Sequence, residues 1–398
     1  MVKKFICLIF IISILGAEVF AFYDEIAEEN LNFEIIETMA NSKYLILNSK
    51  NAILYDNTYN QILYEKNAYD RVPNASTTKV LTAIVAYEKG NLSDIVTVSK
   101  NAALIGGSGI NLRTNDKVSL EDLIKGLMVH SGNDAAVAIA EHVGGSIENF
   151  CNMMNEKAKD IGLENTNFVT PHGLDRENHY STAYDLVKMS EYLLNIEFLA
   201  NIVKERSVTI KVNDVARTIG TTNEMLSFYE GADGVKTGFT GDAGRCLISS
   251  ATKDGRKLIS VVLGCGTKKQ RTVDSVKLLD YGFNNYELVD VLENMKKEFK
   301  ITVEKGKATS YKVVLDGKML MPIEKNKSDK ITYKYEINTK LSAPIEKGEN
   351  IGKIYILYED KILKVIDINL TKTIEKKDFL DYFNKFIKID MKNYEIKL

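Results

Sequence analysis

The chain has 398 residues, 45% of them apolar and 27% charged, so it can bury a core and is too apolar for a disordered chain. Its 52 basic and 54 acidic residues leave a formal charge of -2, and no basic surplus points to nucleic acid as a partner.

In chain order, Lys3 and Lys4 precede an apolar run from Phe5 to Gly16, and Val19-Phe20-Ala21 then offers small residues at the spacing a signal peptidase cuts. The run is shorter than the roughly 20 apolar residues a bilayer span needs. Residues 1–21 therefore read as a secretory leader, with a mature chain beginning near Phe22, outside the cytoplasm, and residues 22–40 as an N-terminal segment. Cys7 leaves with the leader. The remaining Cys151, Cys246 and Cys265 are odd in number and imply no disulfide framework.

Residues 41–284 mix strand and helix patterns: YLILNS, AILYD and QILYEK near the start, helical stretches after them, then CLISSAT and KLISVVLGC around an Asp254-Gly255 turn, then the helical SVKLLDYGF. This predicts an α/β (α+β) domain whose antiparallel sheet takes strands from both ends of the segment. A two-residue turn pairs position 246 with 263 and leaves Cys246 and Cys265 diagonal, about 7–8 Å apart, which predicts buried free thiols. Residues 285–372 change to short alternating segments (FKITVEKG, YKVVLDGKMLMPI, KITYKYEIN, GKIYILYEDKILKVIDINL) and predict a small all-β domain. In residues 373–398, Phe379, Tyr382, Phe383, Phe386 and Ile387 recur at helical spacing among Lys376, Lys377, Lys385 and Lys388. That is an amphipathic helix, which either packs on the β domain or lies on a membrane surface.

The segment PNASTTKVLTA sets a lysine at the mouth of a helix that is apolar nearly all round and ends at Gly90. Ser-x-x-Lys occurs at Ser76/Lys79 and at Ser250/Lys253. On a helix, positions i and i+3 share a face, whereas the second pair runs from strand into turn and diverges. Only Ser76 and Lys79 can cooperate. A hydroxyl becomes a good nucleophile when a base takes its proton, and lysine is such a base only when neutral, a state that burial or a nearby cation favours. Alone, the motif reads as well as an N-cap serine with a snorkelling lysine. Downstream, however, Ser131-Gly132-Asn133 enters another apolar helix, and Lys236-Thr237-Gly238, which occurs once, ends a glycine-rich strand. Ser-x-Asn recurs at Ser49/Asn51 and Ser99/Asn101, so its place in the order carries the weight.

In that order the three motifs resemble the signature of the penicillin-recognising serine enzymes. More closely, the chain resembles low-molecular-mass penicillin-binding proteins of the D-alanyl-D-alanine carboxypeptidase type, which also carry stretches like NFVTPHGLDRENHYSTAYDL, VKLLDYGF and APIEKGENIGKI. The resemblance implies that Ser76 attacks the carbonyl of the penultimate D-alanine and that Lys79 takes its proton. Ser131 relays that proton to the leaving amine, Asn133 binds the substrate amide, and Lys236 and Thr237 receive the terminal carboxylate beside Gly238. The N–H groups of Ser76 and Phe239 form an oxyanion hole, with Arg271 as a second carboxylate contact. It implies a peptidoglycan stem peptide and β-lactams as partners, and no metal or cofactor.

Among rivals, a Ser-His-Asp hydrolase lacks its Gly-x-Ser-x-Gly elbow, and His130, beside Ser131, reads as a helix-end residue. There is no His-Glu-x-x-His, and no cysteine spacing for zinc. A β-lactamase shares the motifs, and Glu191-Tyr192-Leu193-Leu194-Asn195 imitates its water-activating segment. The helical spacing of Leu186, Met189, Leu193 and Leu194 instead makes Glu191 a solvent-facing residue. A catalytically silent envelope scaffold is the remaining alternative, against which the three intact motifs argue.

Overall fold

The computed structural model describes residues 45–383, so the leader and the segment 22–40 lie outside the described residues, as do Lys385, Phe386, Ile387 and Lys388. The chain divides into two compact units at Asn284/Asn285.

The first unit is built on an antiparallel sheet of β1 (Asn51–Asp56), β2 (Gln61–Lys66), β3 (Ala232–Thr240), β4 (Gly244–Lys253) and β5 (Arg256–Cys265), in the order β2-β1-β5-β4-β3. Strands from both ends of the segment meet in one sheet, as the sequence predicts. β1 is buried along its whole length because both of its faces are covered. Ile53 and Tyr55 join the main apolar core. On the other face, a Cβ at Gly282 would come within 2.6–3.3 Å of Leu258, Leu54 and Leu63, so glycine lets α6 (Lys268–Asn285) lie directly on the sheet. The core is organised around α1 (Lys79–Lys89), whose residues 79–86 are all buried. It packs against α2 (Leu120–Val129), α3 (Asn133–Gly144), α4 (Ile147–Asp160) and α5 (Ala183–Leu194), and α5 also reaches β1 and β5.

Two local expectations change in this unit. Residues 45–49 of YLILNS form no strand: the Asp274 carboxylate takes the backbone N–H of Ser49 (2.6 Å), which a sheet neighbour would otherwise pair, and also holds the side-chain amide of Asn48 (3.1 Å). The β4–β5 hairpin turns at Asp254 (φ 50°) and Gly255 (φ 76°) and keeps the predicted register from Lys253↔Arg256 to Leu247↔Val262. Beyond that, a bulge sets Arg245 opposite Cys265, so the 246–263 pairing does not form. Positive φ at Gly244 (65°) and Gly264 (72°) accommodates the shift. Cys151, Cys246 and Cys265 are buried free thiols, and burial pushes Cys246 up to about 11.

The second unit is all β: β6 (Tyr286–Asp290) pairs with β9 (Leu320–Glu324); β7 (Glu298–Glu304) pairs with β8 (Ser310–Val314) and with β11 (Lys340–Ser342); β12 (Asn350–Tyr358) pairs with β10 (Ile331–Ile337) and β13 (Lys361–Asn369). Alternation along β7 puts Phe299, Ile301 and Val303 into a core with Ile323, Ile354 and Ile356. The predicted terminal helix begins later than residue 373. Ile374 is buried and bridges Ile345, Lys376 bridges Gly306, and Lys377 N–H donates to Lys305 O (2.7 Å). The helix starts after Asp378, which accepts from Asp381 N–H at 2.9 Å.

Candidate active site

Ser76 stands in a 3₁₀ turn, Ala75–Thr78, that leads directly into α1. The two threonines of Ser-Thr-Thr-Lys lace this turn: Thr77 Oγ1–H donates to Asn74 O (2.6 Å), Thr78 Oγ1–H donates to Ala75 O (2.9 Å), and Asn74 Nδ2 donates to both hydroxyl oxygens (2.9 and 3.0 Å). They leave Ser76 facing outward, one turn from Lys79.

Lys79 is fully buried, with Nζ 2.7 Å from Ser76 Oγ. The same nitrogen lies 2.7 Å from Asn133 Oδ1 and 2.8 Å from His172 O. Asn133 is turned by its own Nδ2, which donates to Gly106 O (2.7 Å), so its carbonyl oxygen faces the amine. Asn133 Oδ1 and His172 O can only accept. A neutral amine has two N–H bonds for them and one lone pair left, which then meets the Ser76 hydroxyl proton. The electrostatics agree: burial first, then the Lys236 cation, hold Lys79 well below the ordinary lysine range, against a smaller opposing pull from Asp134.

Ser131 (φ 65°) and Asn133 flank Gly132 at the entry to α3. Lys236, Thr237 and Gly238 lie on β3, the edge strand of the sheet. Lys236 is buried, its Nζ donates to Thr237 O (3.2 Å), and burial together with Arg271 brings it down to about 7. Thr237 Oγ1 sits 2.6 Å from Thr222 Oγ1. Gly238 has a steric reason to be glycine: a Cβ there would come within 3.1 Å of Ser76 N and of Ala75 Cβ, wedging the strand off the Ser76 turn. The Phe239 ring is half exposed under the Arg245 guanidinium, 3.8 Å from its centroid. Arg271 is buried on α6 and donates through Nη2 to Glu224 Oε1. Burial raises Glu224, but the Arg271 charge and the Thr272 hydroxyl outweigh it and hold the carboxyl below its usual range. Arg271 thus meets any ligand as half of an ion pair.

Ser76, Ser131, Asn133, Thr237, Gly238, Phe239 and Arg271 line one cavity of about 430 Å³, with Lys79 and Lys236 buried alongside. Thr221, Thr222, Leu174, Gly107 and Lys268, with Ser108 and Arg245, complete its wall without any sequence signal. These residues belong to no short motif. His172 acts through its carbonyl, and its only signal is the Thr-Pro-His-Gly stretch.

The decoys fall elsewhere. Ser250 Oγ donates to Asp233, while Lys253 lies over the Tyr229 ring at 4.6 Å. His130 caps the C-terminus of α2, with Nδ1 3.0 Å from Gly220 O. Glu191 is not the solvent-facing residue expected of it: it forms a half-buried pair with Lys188 (2.6 Å) away from the cavity. Among the described residues, no cluster of three or more His, Cys, Asp or Glu side chains could hold a metal ion.

Residues 37–267 match the D-alanyl-D-alanine carboxypeptidase family, more than half of the chain. The chain belongs to that family. Residues 286–376 match the C-terminal domain of penicillin-binding protein 5. Among curated carboxypeptidases of this kind, the chain is 40% identical over 265 residues to DacF of Bacillus subtilis, covering 65% of this chain and 68% of that one. It is 41% identical over 251 residues to DacC of Escherichia coli, covering 60% of this chain and 62% of the relative, less than two thirds of its length. The structure is similar to penicillin-binding protein 5 from Haemophilus influenzae, with a TM-score of 0.71 and 33% identity over 84% of this chain and 100% of that one.

Proposed function

We propose that the chain removes the terminal D-alanine from peptidoglycan stem peptides through an acyl-enzyme on Ser76, and that β-lactams acylate the same serine. The observation that carries this reading is the arrangement around Lys79, whose two acceptor-only neighbours use both N–H bonds of a neutral amine and leave its lone pair for Ser76. Ser76 Oγ attacks the carbonyl of the penultimate D-alanine while Lys79 takes the proton. Ser131 passes that proton to the departing amine, and the C–N bond breaks. Lys236 keeps the site positive while it is protonated, and Thr237, paired with Thr222, donates to the leaving residue's carboxylate, with Arg271 behind it. The N–H groups of Ser76 and Phe239 receive the oxyanion. Asn133 orients Lys79 through Oδ1, and of its two Nδ2 hydrogens one holds Gly106 O while the other serves a substrate carbonyl. Water then splits the ester, giving its hydroxyl to the acyl carbon and a proton back to Ser76. Incubation with benzylpenicillin followed by peptide mass spectrometry should put one adduct on the Ser76 peptide, and D-alanine should be released from a D-Ala-D-Ala peptide. An adduct elsewhere, or no release, refutes the assignment.

The leader points to action outside the cytoplasm, and the exposed aromatics of the last described helix support peripheral attachment to a membrane surface. Phe379, Leu380, Tyr382 and Phe383 are 50–79% exposed beside Lys376 and Lys377. No helix among the described residues is long and apolar enough to cross a membrane. A chain ended after Lys377 keeps the bridges of residues 374–377 and should retain activity while losing flotation with anionic vesicles. Failure of the full mature chain to float would remove this part of the reading.

A further inference from the structure

We propose that His179 is a positioning residue for the nucleophile: through Thr78 it fixes the peptide plane that joins Ala75 to Ser76. The proposal rests on Ser76 being the nucleophile.

His179 is buried, and its Nδ1 accepts from the backbone N–H of Val169 at 3.2 Å. That donor cannot be reversed, so the ring proton resides on Nε2, which lies 2.8 Å from Thr78 Oγ1. The threonine oxygen therefore receives Nε2–H from His179 and Nδ2–H from Asn74 (3.0 Å), and its own proton can go only to Ala75 O (2.9 Å). Every hydrogen bond in this relay has one direction. The ring itself is set against Phe168, with centroids 5.2 Å apart.

What the relay grips is an unusual carbonyl. Ala75 is a non-glycine residue at φ 48°, a left-handed conformation that persists only where its surroundings enforce it. Gly173 presses on the same group so closely that a Cβ would stand 1.9 Å from Ala75 O. The Ala75 carbonyl and the Ser76 N–H belong to one planar peptide. Fixing the oxygen on one side therefore aims the N–H on the other, and that N–H is one of the two proposed oxyanion donors. His179 does not line the catalytic cavity; its ring reaches Thr78 through Nε2 and, through Nδ1, the Val169 N–H of the segment that leads to His172.

The test measures the acylation rate constant for benzylpenicillin in the full mature protein and in four variants: His179→Phe, His179→Gln, Thr78→Val, and the double variant that combines His179→Phe with Thr78→Val. Misdirecting one oxyanion donor, rather than deleting it, should slow acylation about tenfold, below the 10²–10³ of outright removal. His179→Phe and Thr78→Val should each show this loss with initial penicillin binding unchanged, and the double variant should be no slower than the worse single one, because both cut the same relay. Glutamine, whose amide N–H can stand where Nε2–H does, should restore the rate to within about threefold. The apparent pKa of acylation should stay in place, since the Lys79 contacts are untouched. Should His179→Phe fail to fold, Thr78→Val and His179→Gln still decide. A parental rate in Thr78→Val, losses that multiply in the double variant, or a glutamine variant as slow as the phenylalanine one would overturn the proposal. If the parent protein carries no adduct on Ser76, the nucleophile assignment itself fails, which is a separate result from slow variants of a labelled parent.

Discussion

The two units treat polar groups in opposite ways. In residues 45–284 the buried set includes Lys79, Lys236, Arg271, Asp134, Asp274, His172 and His179; in the described part of the β unit no charged side chain is buried, and the Tyr286 hydroxyl is the one polar group on a buried side chain. Two lysines make the contrast concrete. Lys79 is wholly buried and pushed down from the lysine range by burial, whereas Lys334 on β10 is 66% exposed and is raised by its hydrogen bond to Glu336 (2.6 Å). Burial costs a cation its hydration and so converts it into a base; exposure beside a carboxylate leaves it an ordinary charge. The first unit therefore carries buried charged groups that cost stability, the groups to which the proposed chemistry is assigned, and the β unit carries none.

The largest test of that contrast is to remove the chemistry. Ser76→Ala should leave no penicillin adduct. Lys79→Met should retain the fold and slow acylation by roughly 10²–10⁴-fold, the usual worth of a positioned base. In the parent, the acylation rate should rise with pH through an apparent pKa well below the free-lysine value of ~10.4, because the deprotonated amine is the active form. Lys236, brought down to about 7, is coupled to it, so the profile reports the pair. A rate independent of pH across the neutral range would break the comparison at its centre.

A second test is acid. Burial first, then nearby cations including Lys79, lower His172 to about 3, and burial lowers His179 to about 4. The unfolded chain, with histidines near 6.5, takes up protons first as the pH falls. The stability these groups contribute is thus fully present above about pH 6.5 and is lost progressively toward pH 4. The β unit has no histidine, so hydrogen exchange, corrected for its intrinsic pH dependence, should accelerate in residues 45–284 between pH 7 and 5 and stay level in residues 285–377. Equal acceleration in both would mean that the buried histidines are not what acid attacks.

Much of this site was legible because helix geometry makes Ser76 and Lys79 neighbours while strand geometry separates Ser250 and Lys253. The order of the three motifs also survives folding into one cavity. What was not legible acts through backbone. His172 O and Gly106 O decide how Lys79 and Asn133 are oriented, yet no side-chain pattern announces a carbonyl. The strand expected at YLILNS failed for a related reason, since Asp274, more than two hundred residues away, supplies its partners. The bulge at Arg245 and the half-buried Glu191–Lys188 pair likewise depend on contacts that periodicity cannot see. The β domain was easier to read: its alternation and its Glu359-Asp360 turn, both residues at positive φ, are local signals.

On the β side, the matching test is to damage the core. Ile354 is fully buried in the central strand of its sheet, so Ile354→Ala should destabilise that unit by about 2–5 kcal/mol. Exchange in residues 285–377 should rise accordingly, while the rate of Ser76 acylation stays within about twofold of the parent. A fall in acylation as large as that of Lys79→Met would show that the units do not divide chemistry from packing.

The smallest effect belongs to Lys334. Its pairing with Glu336 looks favourable from both sides, since the hydrogen bond raises the lysine and lowers the carboxyl, and Tyr355 adds its hydroxyl to Glu336 (3.1 Å) and its ring to the ammonium (5.5 Å). Solvent reaches both partners, however, and water screens the attraction while holding two long side chains in one geometry costs entropy. Lys334→Ala should therefore leave both the unfolding midpoint of the β unit and the acylation rate unchanged within error, and added salt should not separate variant from parent. A clear loss of stability at low salt that vanishes at high salt would show that the exposed charges of the β unit act as a network, and an exposed lysine there could no longer be counted idle beside the buried, working Lys79.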